Sequence, residues 1–421
     1  MKLDALYCFR WLLTVSLYLT CADISNAQLS LTTSDVLSGA FTTKNLPFQE
    51  SLNFIENEAG RIPIVETMEF RTETNEFVYD QQEYLIRFDL NSSEERKAYD
   101  RVMATNKQLY NYKQEEYLGD RIEEIYKDLV DYYFYQEELS ILVDNLSILR
   151  DKKIVLAKLL STSDEINVNS WLSIQNDIMS AMADSVQLTQ SLRNIESIVN
   201  DTSTSAKNSL NFDDMISISS LQEVVDNYIL TDNSSIPMKI AAVEESMAKA
   251  EFELEEAETN KWLQWVQVRY QADNDVAFQK ELAFSTSINL PNKSTNRAKK
   301  NEAALDVWDS KYEKTLQNDK YNREFASIKL KLESAIIQYE NLNDMINGQA
   351  LDQTYQTYLK VQSISPLVLL DIKTNINKNR FKLLDEKKEI YEVYLDLLSV
   401  TSLYVTSPKR NYISENLNEL K

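Results

Sequence analysis

Two stretches about two hundred residues apart share one alternation of apolar and polar positions. In EYLIRFDLNSSEERKAYD, residues 83–100, Tyr84, Ile86, Phe88 and Leu90 alternate with Leu85, Arg87 and Asp89. In ELAFSTSINLPNKSTNRAKKNEAAL, residues 281–305, Leu282, Phe284, Ile288 and Leu290 alternate with Ala283, Ser285, Ser287 and Asn289. A period of two predicts a half-buried strand, and each stretch then passes through a polar turn into a charged helix. A second alternating run precedes each, giving strand pairs at 65–73 with 77–90 and at 262–272 with 277–290, bent at 74–76 and 272–275.

Beyond the first strand pair the period changes. Residues 93–160 contain no Pro, one Gly (Gly119) and many Glu, Lys, Leu and Tyr, which predicts one unbroken helix. At about 1.5 Å per residue it extends on the order of 100 Å, too far for one compact core, so it needs lateral neighbours along its length. The polar run 161–170 breaks it, and a helix returns over 168–200. A loop at 201–209, a short helix at 212–229 and a break at 231–237 follow, with Pro237 placed to open a helix through Asn260. A second long helix is predicted over 295–347, continuing past Gly348 to 361. SISP at 363–366 breaks it, a returning helix covers 367–400, and the chain from 407 reads as a loose tail.

Register supports a duplication. A shift of 198 places Leu172 on Leu370, Ile174 on Ile372, Ile178 on Ile376 and Arg71 on Arg269, while a shift of 200 places Phe88 on Ile288 and Leu90 on Leu290. The expected organisation is a signal peptide at 1–27, an N-terminal segment with a short helix at 28–62, repeats at 63–230 and 231–402, and a tail at 403–421. The fold class is mainly α with a small β part.

Composition narrows the chemistry. Among 421 residues there is no His and there are only 4 Gly, which removes the usual general base, the commonest metal ligand and any glycine-rich phosphate loop. Carboxylates are the only acid/base groups in good supply and no pair stands in a special setting, so neither an enzyme nor a cofactor or metal site is expected. A formal net charge of −22 excludes nucleic acid as a partner, because that binding is driven by Lys and Arg neutralising phosphates.

Residues 1–27 have Lys2 and Arg10 near an apolar run from Trp11 to Cys21 and then Ser25-Asn26-Ala27, a secretory signal peptide cleaved after Ala27. An N-terminal anchor and lipid attachment at Cys21 are the alternatives. Both cysteines, Cys8 and Cys21, lie in this segment, so the mature chain carries no disulfide.

Each strand pair sets one apolar face against one polar face. Phe70, Tyr84, Ile86, Phe88, Val266, Val268, Phe284 and Ile288 are the candidate lipid-facing residues. A barrel strand with lipid outside and water inside has this pattern, and so does a sheet covering a helical layer. Four strands cannot close a barrel, so a membrane barrel would be pooled from several chains. Trp262, Trp265, Phe77, Tyr79 and Phe278 lie at strand ends or turns, where interfacial aromatic girdles sit.

The segments NLPFQESLNFIENEAGRIPIVETMEFRTETNEF, INLPNKSTNRAKKNEAAL and SISPLVLLDIKTNINKNRFKLLDEKKEIYEVYLDLLSV, with the duplicated order of elements, resemble the TolC-like outer-membrane efflux family from about residue 45 to 400. The resemblance implies a homotrimer whose chains each give four strands to one outer-membrane barrel and whose helices form a periplasmic α-barrel. It implies passive export, with a periplasmic adaptor and an inner-membrane transporter as partners. It also places the entrance at the helix breaks 161–170 and 362–366, with Asp371 as the leading candidate for a charged ring and Asp164, Glu165 and Asp177 behind it. One departure stands out: the family's sizeable helix before the first strand has only residues 48–60 to occupy. The alternative function is an exported periplasmic coiled-coil scaffold without a pore.

Overall fold

The computed structural model describes residues 31–41, 46–74, 82–160, 168–202, 210–212, 214–229, 235–271, 282–288, 297–361 and 364–420. The signal-peptide segment lies outside them. In chain order the elements are β1 (Leu31–Thr32), α1 (Thr33–Phe41), α2 (Gln49–Asn53) running into a π-helical turn (Phe54–Glu58), β2 (Val65–Thr74), β3 (Gln82–Leu90), α3 (Ser93–Leu160), α4 (Val168–Thr202), β4 (Leu210–Asn211) and α5 (Ile218–Val224), extended by a π-helical turn (Val225–Ile229). They continue with α6 (Ile236–Thr259), β5 (Leu263–Gln271), β6 (Leu282–Ile288), α7 (Arg297–Gln349), α8 (Leu351–Leu359), α9 (Pro366–Val400) and a 3₁₀ turn (Leu403–Val405).

The duplication is visible in the element starts. β5 begins 198 residues after β2, β6 begins 200 after β3, and α4 and α9, both of 35 residues, begin 198 apart. The repeats are not the compact units, however. One unit takes the described residues of Met1–Lys44, Leu118–Asn233 and Phe325–Lys421, and the other those of Asn45–Tyr117 and Ser234–Glu324, so each draws on both repeats.

Local chemistry fixes the helix starts. Ser92 Oγ accepts from the Glu95 backbone N–H at 3.1 Å while the Glu95 carboxylate accepts from the Ser92 N–H, a capping box that opens α3. Ser365 caps α9 by accepting from Leu367 N–H, with Pro366 as first helical residue. The second long helix ends earlier than the sequence pattern predicts. Ala350 adopts a left-handed backbone conformation (φ 45°), so α7 stops at Gln349 and α8 begins at Leu351.

The unit without the large sheet is built around Tyr126, Leu129, Leu221, Ile390, Tyr394 and Tyr404, all buried. The C-terminal segment, expected to be loose, completes this core. Asn411, Tyr412, Ile413 and Ser414 are buried. The Tyr126 hydroxyl donates to the Arg410 carbonyl and accepts from the Tyr412 N–H, both at 3.0 Å, and the Tyr394 hydroxyl donates to the Tyr412 carbonyl at 3.0 Å. Burial pushes the Tyr126 hydroxyl far above the usual phenol range, so it stays a neutral donor. Asn411 Nδ2 donates to Thr33 Oγ1 (2.8 Å) and Ser34 Oγ (2.9 Å), tying the two ends of the described chain together. The segment also reshapes the short helix predicted over 212–229. Ile216 N–H donates to the Ile413 carbonyl at 2.9 Å, and Met215 forms a bridge with Ser414, so the helix begins only at Ile218.

In the other unit α6 packs against α3 and α7. Its buried Glu245 carboxylate meets Lys249 at 2.5 Å and Lys314 at 2.8 Å, which holds its pKa down to about 2. Because the folded value lies below the unfolded one, the contribution is full above about pH 4.5 and lost as pH falls toward 2. Replacing Glu245 with Gln should cost on the order of 1–2 kcal/mol at pH 7, and that cost should shrink to a small remainder as pH falls to about 2. Chemical unfolding of both proteins across pH 2–7 checks this, and a pH-independent difference would refute the assignment.

Candidate membrane-facing sheet and helix-end carboxylates

The large sheet has strand order β2-β3-β5-β6, every neighbouring pair antiparallel. Cross-strand partners point to the same side, so the register assigns each residue to a face. Phe70 stands opposite Ile86, Ile86 opposite Val268 and Val268 opposite Phe284, one apolar row across all four strands. Met68, Phe88 and Val266 form a second row that ends in Thr286 on β6, and Tyr84, Tyr270 and Leu282 a third that starts from Thr72 on β2. Tyr84 stacks between Phe70 and Tyr270 at ring distances of 6.4 and 6.3 Å.

This apolar face is left open by the described residues. Met68 is 65%, Phe70 59% and Phe284 70% exposed, and Ile288 is also exposed. Along β6 the exposed positions are Leu282, Phe284, Thr286 and Ile288, while Ala283, Ser285 and Ser287 are half-buried. Among the described residues no helical layer covers this face. All eight candidate lipid-facing residues lie in its strands.

The opposite face is polar and internally paired. One row runs Glu69, Arg87, Gln267, Ser285 and the next Arg71, Leu85, Arg269, Ala283. Arg71 meets Glu69 at 2.9 Å, Arg87 meets Asp89 at 2.9 Å and Arg269 meets Glu83 at 3.3 Å. Trp265 belongs to this side rather than to an interfacial girdle. It alternates in phase with Gln267 and Arg269 and stands opposite Asp89, with the Arg87 guanidinium 4.9 Å from its ring centroid. Trp262 is exposed just before β5, and Phe77, Tyr79 and Phe278 lie outside the described residues. Among the described residues both edge strands, β2 and β6, keep one side without a strand partner.

At the helix ends the candidate carboxylates separate. Asp371, in the second turn of α9, is 64% exposed at its side chain, yet Lys152 Nζ of α3 lies 2.7 Å away and is itself 10% exposed. Asp177 is exposed on α4. Asp164 and Glu165 lie outside the described residues. Sequence reasoning missed the lysine partner, which sits 219 positions upstream. Farther along α3, burial raises the Asp128 carboxyl above its usual range, and Asp131 and Glu124 add to the effect. Burial likewise raises Glu138, helped by Asp385. Among the described residues no group of three or more Cys, Asp and Glu side chains converges as a metal site would, and no helix is long and apolar enough to cross a membrane.

No protein-family model matches the sequence, and no curated protein matches it. Solved structures do match over nearly the whole chain. The transmembrane channel protein CusC aligns with a TM-score of 0.62 at 14% identity, covering 89% of this chain and 92% of its own. The Campylobacter jejuni CmeC outer-membrane channel aligns at 0.59 and 10% identity, over 88% and 85%, and the Neisseria gonorrhoeae MtrE outer-membrane channel at 0.58 and 12%, over 88% of each. The fold is that of the TolC-like outer-membrane channels. Within the TolC-like fold this chain keeps two strand pairs and two returning helices, and among the described residues it places β1, α1, α2 and the π-helical turn before β2.

Proposed function

We propose that the chain is an outer-membrane channel subunit of efflux or secretion type. Three copies pool their four-stranded sheets into one twelve-stranded barrel, and their helices line a periplasmic tube. The duct is passive and docks a periplasmic adaptor and an inner-membrane pump. The observation that carries this reading is a sheet with an open apolar face, a charged and internally paired opposite face, and two edges lacking partners. Open edges in lipid leave backbone groups unsatisfied, and closure by copies of the same sheet removes them.

The direct test is the detergent-corrected mass of the mature protein from outer-membrane fractions, followed by conductance in planar bilayers. A trimer that conducts supports the reading. A soluble periplasmic monomer or dimer overturns it and leaves a scaffold without a pore.

Asp371 supplies part of the charge at the entrance, but with Lys152 beside it its field is largely cancelled in the resting chain. Replacing Lys152 with Met therefore exposes three unbalanced carboxylates per trimer and should raise cation over anion permeability, while Asp371→Asn should lower it. Reversal potentials across a salt gradient read both changes. Equal potentials for the two variants would remove Asp371 from the entrance.

A further inference from the structure

Two apolar features of the sheet-bearing unit remain unmatched within one chain. On α7, Leu305, Trp308, Tyr312 and Leu316 recur at helical spacing along one face, and all are exposed, Trp308 to 65% and Tyr312 to 68%. An aromatic ridge of this kind is unusual on a solvated helix. The other feature is an open cleft of ≈ 430 Å³ where α2 and its π-helical turn lie against α3, lined by Glu50, Phe54, Ile55, Met103, Asn106 and Tyr110. Phe48 reaches the Tyr110 ring at 5.8 Å, but α2 and the turn together span only residues 49–58 and leave this face of α3 open.

Ridge and cleft match in depth. Met103 and Tyr110 lie 10 and 17 residues into α3, and Leu305 and Leu316 lie 8 and 19 residues into α7. At about 1.5 Å per residue, both occupy the stretch roughly 12–29 Å from the helix starts. They also sit on opposite borders of the sheet. The cleft is formed by the segment that leads into β2, and the ridge by the helix that follows β6, and these strands are the two open edges. Their charges are complementary. Lys311 places its ammonium 5.3 Å from the Trp308 ring centroid, while Glu50 lines the cleft without an ion pair among the described residues.

We infer that Trp308 and Tyr312 of one copy seat in the Phe54, Met103 and Tyr110 cleft of the next. The inference rests on the trimeric reading and specifies how its seam is locked. A β6 edge meeting the next copy's β2 edge continues into the helices as an aromatic ridge in an apolar cleft. Ridge and cleft are different surfaces, so the contact is head-to-tail and closes only as a ring. Burial of the two rings supplies an anchored contact of the kind that dominates interface energetics.

The sequence makes the test clean, because its only cysteines are Cys8 and Cys21. Phe54→Cys combined with Trp308→Cys, oxidised mildly in detergent, should give covalent dimers and trimers on denaturing gels. Phe54→Cys with Leu330→Cys should give none, since Leu330 lies about 33 Å farther along α7 and a disulfide needs Cα atoms within about 7 Å. Trp308→Glu, at an exposed position, should raise the concentration at which trimers dissociate by roughly tenfold or more. A wild-type trimer with no covalent product and an unchanged Trp308→Glu trimer would overturn the lock and leave the barrel standing. An internal bridge, seen as an unshifted monomer without free thiols, would also overturn the lock. A wild-type protein that is monomeric in detergent would overturn the trimeric reading beneath it.

Discussion

In the proposed trimeric channel, Phe284→Arg should prevent stable insertion in the outer membrane, whereas Ser285→Arg, one position along β6, should leave the trimer intact and lower cation permeability. The contrast follows from register. Phe284 closes the apolar row Phe70, Ile86, Val268, Phe284, and Ser285 closes the polar row Glu69, Arg87, Gln267, Ser285. Arginine on the lipid face of a barrel costs about 2–4 kcal/mol near the bilayer midplane and little near the interfaces. Three copies multiply that to roughly 6–12 kcal/mol per barrel at the midplane, comparable with the whole stability of a typical domain. On the polar face the guanidinium remains hydrated, and its effect is on the field felt by permeating ions. Membrane fractionation followed by an unheated gel for the trimer reads the first effect, and reversal potentials read the second. Wild-type insertion of Phe284→Arg, or equal failure of both variants, would mean that the register has been assigned to the wrong environment.

The strands and most helix bounds were legible because each signal is local. Period two over 83–90 and 282–288 assigns faces without reference to distant residues, and Ser365-Pro366 announces the start of α9. The unforeseen features depend on partners far away in sequence. Tyr412 and Ile413 are two apolar residues in a polar stretch, and the hydroxyl that holds this segment comes from Tyr126, 286 positions upstream of the Tyr412 N–H it meets. No periodic pattern encodes that contact. Lys152 is likewise one lysine among many on a charged helix until folding brings it to Asp371. Trp265 shows a third way for pattern to mislead. Its place near a strand end suggests the membrane interface, but its phase with Gln267 and Arg269 and the Arg87 guanidinium over its ring put it on the polar face. Ala350 carries no sequence mark of its own. Gly348 two residues earlier is the nearest hint that α7 ends there, and a lone glycine is tolerated in many helices.

Deleting residues 408–421 should be as damaging as a charge on the proposed lipid face, although the removed residues belong to the unit without the large sheet. The deletion removes Tyr412 and Ile413 from the core, about 1.5–3 kcal/mol each. It also strips the Tyr126 and Tyr394 hydroxyls of their partners while both rings remain among other buried groups, and a buried polar group without a partner costs about 1–3 kcal/mol. Asn411 no longer holds Thr33 and Ser34, and Glu415 no longer accepts from Ser217 and Ser220 at the start of α5. The total exceeds roughly 5 kcal/mol, the lower end of what holds a domain folded, so the truncated chain should be degraded rather than assembled. Tyr126→Phe, which removes the hydroxyl that the Tyr412 N–H and the Arg410 carbonyl meet, should cost about 2 kcal/mol and still permit assembly. Thermal unfolding followed by circular dichroism, with trimer yield from membranes, ranks the three proteins. If the truncated chain unfolds at the temperature of the full chain, the C-terminal segment is a passenger and the tyrosine hydroxyls find their partners elsewhere.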